Sequence, residues 1–157
     1  MSLNRAHPLW TTCENNPFHI NQAIIQCCML SGKYRIERLC RFFSSNKEGI
    51  CLLHPLDKVH ETISHIIEFC PGLNNTRQQV LKYWDEQSKE QPIIRQILNS
   101  IDNFTAFVLD CSTQPVVIRA TQDFGQVILK ILFKLTRTMA YSLHRDRLKQ
   151  LDRWNKI

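Results

Sequence analysis

The residues best equipped for chemistry are four nitrogen and sulfur donors in one short stretch. Cys51 and His54 are separated by two residues, His65 follows after ten more, and Cys70 after a further four. This Cys-x2-His-x10-His-x4-Cys pattern offers two thiolates and two imidazoles, a set with which zinc closes a tetrahedral structural site. The two-residue gap lets one tight turn aim Cys51 and His54 at a common point. His65 and Cys70 are five apart, whereas a helix brings positions three or four apart onto one face. Both can therefore ligate only if the helix that carries His65 unwinds at its end, where Pro71 and Gly72 oppose its continuation. His60 is a competing ligand. The same residues also read without a metal, with Cys70 as a buried core cysteine and His54, His60 and His65 as surface or internally satisfied side chains.

The chain has seven cysteines, an odd number that cannot pair completely, and its start lacks the charged and then apolar pattern of a secretory signal. The expected compartment is intracellular, with free thiols or metal ligands in place of disulfides. Cys13, Cys27, Cys28, Cys40 and Cys111 stand in apolar surroundings without ligand spacing and read as small core residues.

The second chemical signal is charge. Residues 125–157 hold eight Lys or Arg against two Asp, while residues 1–124 are balanced, so the net charge of +6 sits in the last fifth of the chain. Lys130, Lys134, Arg137, Arg145, Lys149 and Arg153, with Lys156, recur near multiples of a helical turn, opposite an apolar face. Such a row releases counterions from phosphates and supplies sequence-independent affinity for RNA or DNA. Tyr141, His144 and Trp154 interleave with it and can stack on bases. A solvated face of an amphipathic helix has the same pattern. Catalytic patterns are missing: there is no glycine-rich phosphate loop, His-Glu-x-x-His, Gly-x-Ser-x-Gly or adjacent aspartate pair. The chain therefore reads as no enzyme by itself, with no small-molecule substrate.

These groups need elements to position them, and the apolar periodicity is helical nearly throughout. Helices are expected over Pro17 to Ser31, in a shorter pattern over Tyr34 to Phe43 with Arg35 and Arg38 outward, over Glu61 to Phe69, and over Asn74 to Lys89. Ser44 to Gly49 reads as a polar loop. One or two short helical segments fall between Pro92 and Leu109, Val116 to Ile118 suits a strand or a buried turn, and one long helix runs from Thr121 to about Trp154. No apolar stretch approaches the roughly 20 residues of a membrane span. The 157 residues, 43% apolar, fit a single domain. It is mainly α: a small helical domain with a Cys/His zinc knuckle at 51–70 inside a helical region 16–90, followed by a helical part 91–157 that ends in a long amphipathic basic helix.

The run Leu30-Ser31-Gly32-Lys33-Tyr34-Arg35, then Leu39, Cys51 and His54, then Glu61 through Pro71 with His65 and Cys70, and then Arg77, resembles the region C-terminal to the polymerase domain in reverse transcriptases of non-LTR retrotransposons. The similarity continues into Phe107 to Cys111 and the last helix, and so covers most of the chain. In that family a second cysteine usually stands where this chain has His54, which is itself a competent zinc ligand. The resemblance implies that Cys51, His54, His65 and Cys70 hold a structural Zn²⁺ in a nucleic-acid-binding tail, here without the polymerase part. The alternative is an all-helical protein-interaction or structural domain without metal, which leaves a protein partner open.

Overall fold

The structure, a computed structural model, describes residues 6–36 and 48–154, the last two by backbone alone. Its helices are α1 (Pro8–Thr11), α2 (Pro17–Leu30), α3 (Asn74–Ser88), α4 (Pro92–Asn99), α5 (Phe104–Leu109), α6 (Pro115–Phe124) and α7 (Val127–Trp154). Four of them open on proline, whose missing N–H is no loss in a first turn. Asn16 caps α2 by accepting from the Phe18 and His19 amides at 2.9 and 3.4 Å. Gly32, at φ +70°, ends it in the left-handed conformation that glycine adopts without strain. Among the described residues there is no strand, only one antiparallel bridge between Ile50 and His60.

The long helix α7 is the axis of the fold, and α2, α3, α5 and α6 pack around it. Leu132, Phe133, Leu135, Met139, Ala140 and Leu143 line its buried side. Polar groups pin the neighbours in place. The Trp84 indole on α3 donates to the Leu135 carbonyl at 3.1 Å, and the buried Gln26 amide on α2 donates to the Val108 carbonyl and the Thr136 hydroxyl at 2.6 and 3.1 Å. Each bond satisfies a group that would otherwise be buried at a cost.

Two expectations are corrected. Val116 to Ile118 belong to α6 and form neither a strand nor a turn, because Pro115 starts a helix that buries Val117. The last helix does not run unbroken from Thr121, since Gly125 at φ +81° and ψ −177° separates α6 from α7. Phe124 and Val127 flank that break and are more than half exposed, so they do not contribute to the apolar face. The Tyr34 to Phe43 pattern lies outside the described residues from residue 37 onward, as does most of the expected loop up to residue 47; Tyr34 and Ile36 before it are buried without helical geometry. Among the described residues, no helix is long and apolar enough to cross a membrane.

Candidate metal centre

The chain from Cys51 to Leu73 turns on itself through short helical pieces: a 3-10 turn at Pro55–Asp57, a π-helical turn at His65–Phe69 and a second 3-10 turn at Pro71–Leu73. Lys58, at φ +52°, closes the first of them. The bridge between Ile50 and His60 closes the ends of the first loop, with the Cys51 amide donating to the Val59 carbonyl at 2.8 Å and the Glu61 amide to Gly49 at 3.0 Å. His54 is thereby folded back over His65.

The π turn resolves the five-residue spacing. An α-helix rotates residue i+5 well off the face of residue i, but a turn closed by an i+5 amide brings the two back into line. The Cys70 amide donates to the His65 carbonyl at 2.6 Å, which is that bond. The helix is thus widened where simple unwinding was expected, and Pro71 stops it one residue later.

One potential ligand atom from each of Cys51, His54, His65 and Cys70 lies within 4.8 Å of the other three, a group that can hold a metal ion. The two sulfurs are 3.8 Å apart, too far for a disulfide, and the two Nε2 atoms are 2.9 Å apart. Around an ion with metal–sulfur bonds of about 2.3 Å, the sulfur–sulfur edge of a tetrahedron is about 3.8 Å. The donors therefore fit a four-coordinate ion, with the imidazoles needing to part by a few tenths of an ångström. Cys51 and Cys70 are fully buried and His65 nearly so. His60, the competing ligand, is exposed and stands outside the group.

The surroundings favour the ligating forms. The Cys51–Cys70 hydrogen bond draws the Cys70 thiol down to about 7, with the Gly72 and Leu73 amides and the Arg77 charge helping against burial. The same bond and burial push Cys51 up, while the Leu53 amide works against the rise. The pair thus shares a proton that a cation would displace. Burial and then the neighbouring His54 lower the His65 pKa, holding its imidazole neutral. Asp57 lies 3.1 Å from Nδ1 of His54, where its carboxylate can accept a hydrogen bond from Nδ1–H, the tautomer that leaves the Nε2 lone pair for a metal.

The π turn is held from outside by residues whose role spacing alone did not reveal. Arg77, buried on α3, donates from Nε to the Ile67 carbonyl at 2.7 Å and from Nη2 to the Ile66 and Cys70 carbonyls at 3.3 and 3.2 Å. It gives the Ile66 and Ile67 carbonyls a partner and shares the Cys70 carbonyl with the Leu73 amide, which donates to it at 3.2 Å. Glu68 accepts from the Thr105 amide at 2.8 Å and from its hydroxyl, which ties the turn to α5. Glu61 receives a two-pronged bond from Arg147 of α7, at 2.8 and 2.7 Å, with both side chains buried. Gln150 donates to the Gly72 carbonyl at 2.8 Å. A side chain at Gly72 would place its Cβ 2.9 Å from that of Leu53, so the two halves of the knuckle touch backbone to side chain there.

The basic residues divide. Lys130, Lys134, Arg145 and Lys149 are exposed on α7, Lys130 with its ammonium 3.0 Å from Glu14. Arg137 is a correction: it is 1% exposed and donates to the Leu9 and Thr12 carbonyls and the Thr12 hydroxyl, so it anchors the N-terminal segment and does not face solvent. Its guanidinium has the geometry to satisfy several oxygens at once, and α1 supplies them. The side chain of Arg153, and Arg38 and Lys156, lie outside the described residues, whereas Arg35 is exposed. No protein family, curated protein or solved structure matches the chain, so the reading of the site stands on its own geometry.

Proposed function

We propose that the protein is a zinc-stabilised nucleic-acid-binding module, non-catalytic by itself, similar in role to the tail of a non-LTR retrotransposon reverse transcriptase. The observation that carries the reading is the closed four-donor group with its 3.8 Å sulfur–sulfur edge. Two thiolates balance a divalent cation, so the assembled centre is neutral and tolerates full burial. Mixed nitrogen and sulfur donors in a tetrahedron suit zinc, and with all four corners taken by protein the ion acts as a clip. Zinc joins the Cys51–His54 turn to the His65–Cys70 turn, and Glu61 and Gly72 within that lobe are bonded to Arg147 and Gln150 of α7. The exposed Lys134, Arg145 and Lys149 of that helix then meet phosphates.

Metal analysis of protein purified without chelator should find one zinc per chain, lost in Cys70→Ser and His65→Ala. Binding to RNA or single-stranded DNA should weaken about 20- to 50-fold between 50 and 200 mM salt if three or four phosphates are neutralised. Affinity indifferent to salt would remove the nucleic-acid half, and absence of metal at full helicity the zinc half. A helical interaction domain is the second reading, favoured by Leu56 and Phe69, which stand 94% and 66% exposed on the knuckle segment. It calls for unchanged folding after chelation and a protein complex that survives high salt.

A further inference from the structure

A second constellation lies away from the metal centre. Phe18 at the start of α2, Tyr83 on α3, and Lys134, Tyr141, Arg145 and Lys149 on α7 line one open cleft of about 430 Å³, a size at which proteins hold small ligands or parts of larger ones. With Thr138 between Lys134 and Tyr141, these α7 residues stand at intervals of three to four, so one face of the helix forms a wall of the cleft. Its cations, from Lys134 to Lys149, are spread over roughly 22 Å of helix. Among the described residues, no carboxylate lines the cleft.

Tyr83 packs against the core, but Phe18 and Tyr141 do not. Phe18 is 54% exposed and meets the Tyr141 ring edge to face, with centroids 5.7 Å apart at 81°. The Arg145 guanidinium lies 5.9 Å from the centre of the Tyr141 ring and donates to its hydroxyl at 3.3 Å. An exposed ring and a half-buried one beside cations, with no carboxylate among the described lining residues, match the two parts of a nucleotide: a flat base and a phosphate.

We propose that this cleft is a single-stranded nucleic-acid subsite, in which an unpaired base stacks on the Phe18–Tyr141 pair while the flanking phosphates lie against Lys134, Arg145 and Lys149. A duplex has its base faces buried in its own stack and can offer the cleft only phosphates, so the rings discriminate in favour of the single strand. The inference rests on the nucleic-acid reading above and deepens it by naming the strand state and the stacking residues.

The test is fluorescence anisotropy of the full zinc-loaded chain with three labelled probes of one length: an oligouridylate, an oligodeoxythymidylate and a duplex. Both single strands should bind more tightly than the duplex, and the difference between them reports whether the cleft prefers RNA or DNA. Phe18→Ala and Tyr141→Ala should each weaken single-strand binding by about 5- to 100-fold without changing the salt slope. Phe18→Trp should keep the affinity. Lys149→Ala should instead reduce the slope by about 0.7. Because Phe18 is largely exposed, its alanine variant keeps the fold, and it decides the matter with Phe18→Trp if Tyr141→Ala unfolds. Equal binding of duplex and single strand overturns the proposal. So do ring variants that bind like the parent, or displacement of the probe by a polyglutamate peptide as effective as that by unlabelled strand. If salt-sensitive binding persists in these cases, the broader nucleic-acid reading survives; no binding of any probe overturns both.

Discussion

Replacing Arg77 with methionine tests how the π turn holds two ligands in line. Methionine keeps most of the buried hydrocarbon but removes the donors to the Ile66, Ile67 and Cys70 carbonyls. A hydrogen bond from a charged donor contributes about 1.5–3 kcal/mol, which for three would be about 5–9 kcal/mol if they were additive. Against this stands the desolvation of a buried guanidinium, a cost of several kcal/mol that methionine avoids. That cost shows in the structure as a lowered Arg77 pKa, for which burial is the main cause. The difference leaves a net loss of about 2–4 kcal/mol, or a Tm lower by roughly 4–16 °C in a chain of this size. The more informative quantity is metal affinity. Outer residues that orient metal ligands are typically worth 10- to 100-fold, so competition with a chromophoric chelator should show zinc held about 10- to 100-fold less tightly in Arg77→Met, with Arg77→Lys between the two. Thermal unfolding with and without chelator should then show a smaller zinc-dependent rise in Tm for the variant. An unchanged zinc affinity alongside a lowered Tm would refute the claim that Arg77 positions the His65–Cys70 turn and leave it a general stabilising residue.

Gly72→Ala forces the Leu53 side chain away from a 2.9 Å contact and should cost roughly 1–3 kcal/mol, read by urea unfolding of the zinc form. Asp57→Asn removes the carboxylate that orients His54 and should weaken zinc at least about tenfold in the same chelator competition, with little change in far-ultraviolet circular dichroism. Arg137→Gln should destabilise the fold while leaving the salt slope of nucleic-acid binding unchanged, because Arg137 is buried against Thr12; a reduced slope would return it to the binding face. For His144, burial and then the Arg147 and Arg145 charges lower the folded pKa, so below about 6.5 the unfolded chain binds the extra proton and stability falls as pH drops toward the folded value. His144→Gln, compared with the parent by denaturant unfolding from pH 7.5 to 5, should flatten that decline.

The four-donor group was legible because metal chemistry restricts both residue type and spacing, and Cys51, His54, His65 and Cys70 lie close enough together to hold an ion. The way His65 and Cys70 align was not, since a π turn depends on the carbonyl partners that Arg77 supplies from another helix. Helix starts were legible in Pro17 and Pro92, whose effects are local. The break at Gly125 was hidden by apolar residues on both sides that continue the period, and only exposure shows that Phe124 and Val127 lie off the core. Arg137 looked like its basic neighbours because periodicity says which residues share a face, not that the Thr12 segment comes to cover one of them. Tyr141 was visible as an interleaved ring, but Phe18 and Tyr83 reach the same cleft from two other helices, and no spacing within one segment relates them.

The bond between Glu61 and Arg147 spans 86 positions, whereas the four metal donors fall within twenty consecutive residues. Closing the short loop costs less chain entropy, and the local contacts can form early. During synthesis the four-donor lobe is therefore complete long before the last helix exists, whereas the guanidinium that Arg147 brings to Glu61 is made near the end. The Glu61–Arg147 pair is in effect a late joint: a chain cut short of Arg147 would lack the two-pronged bond that ties the lobe to α7.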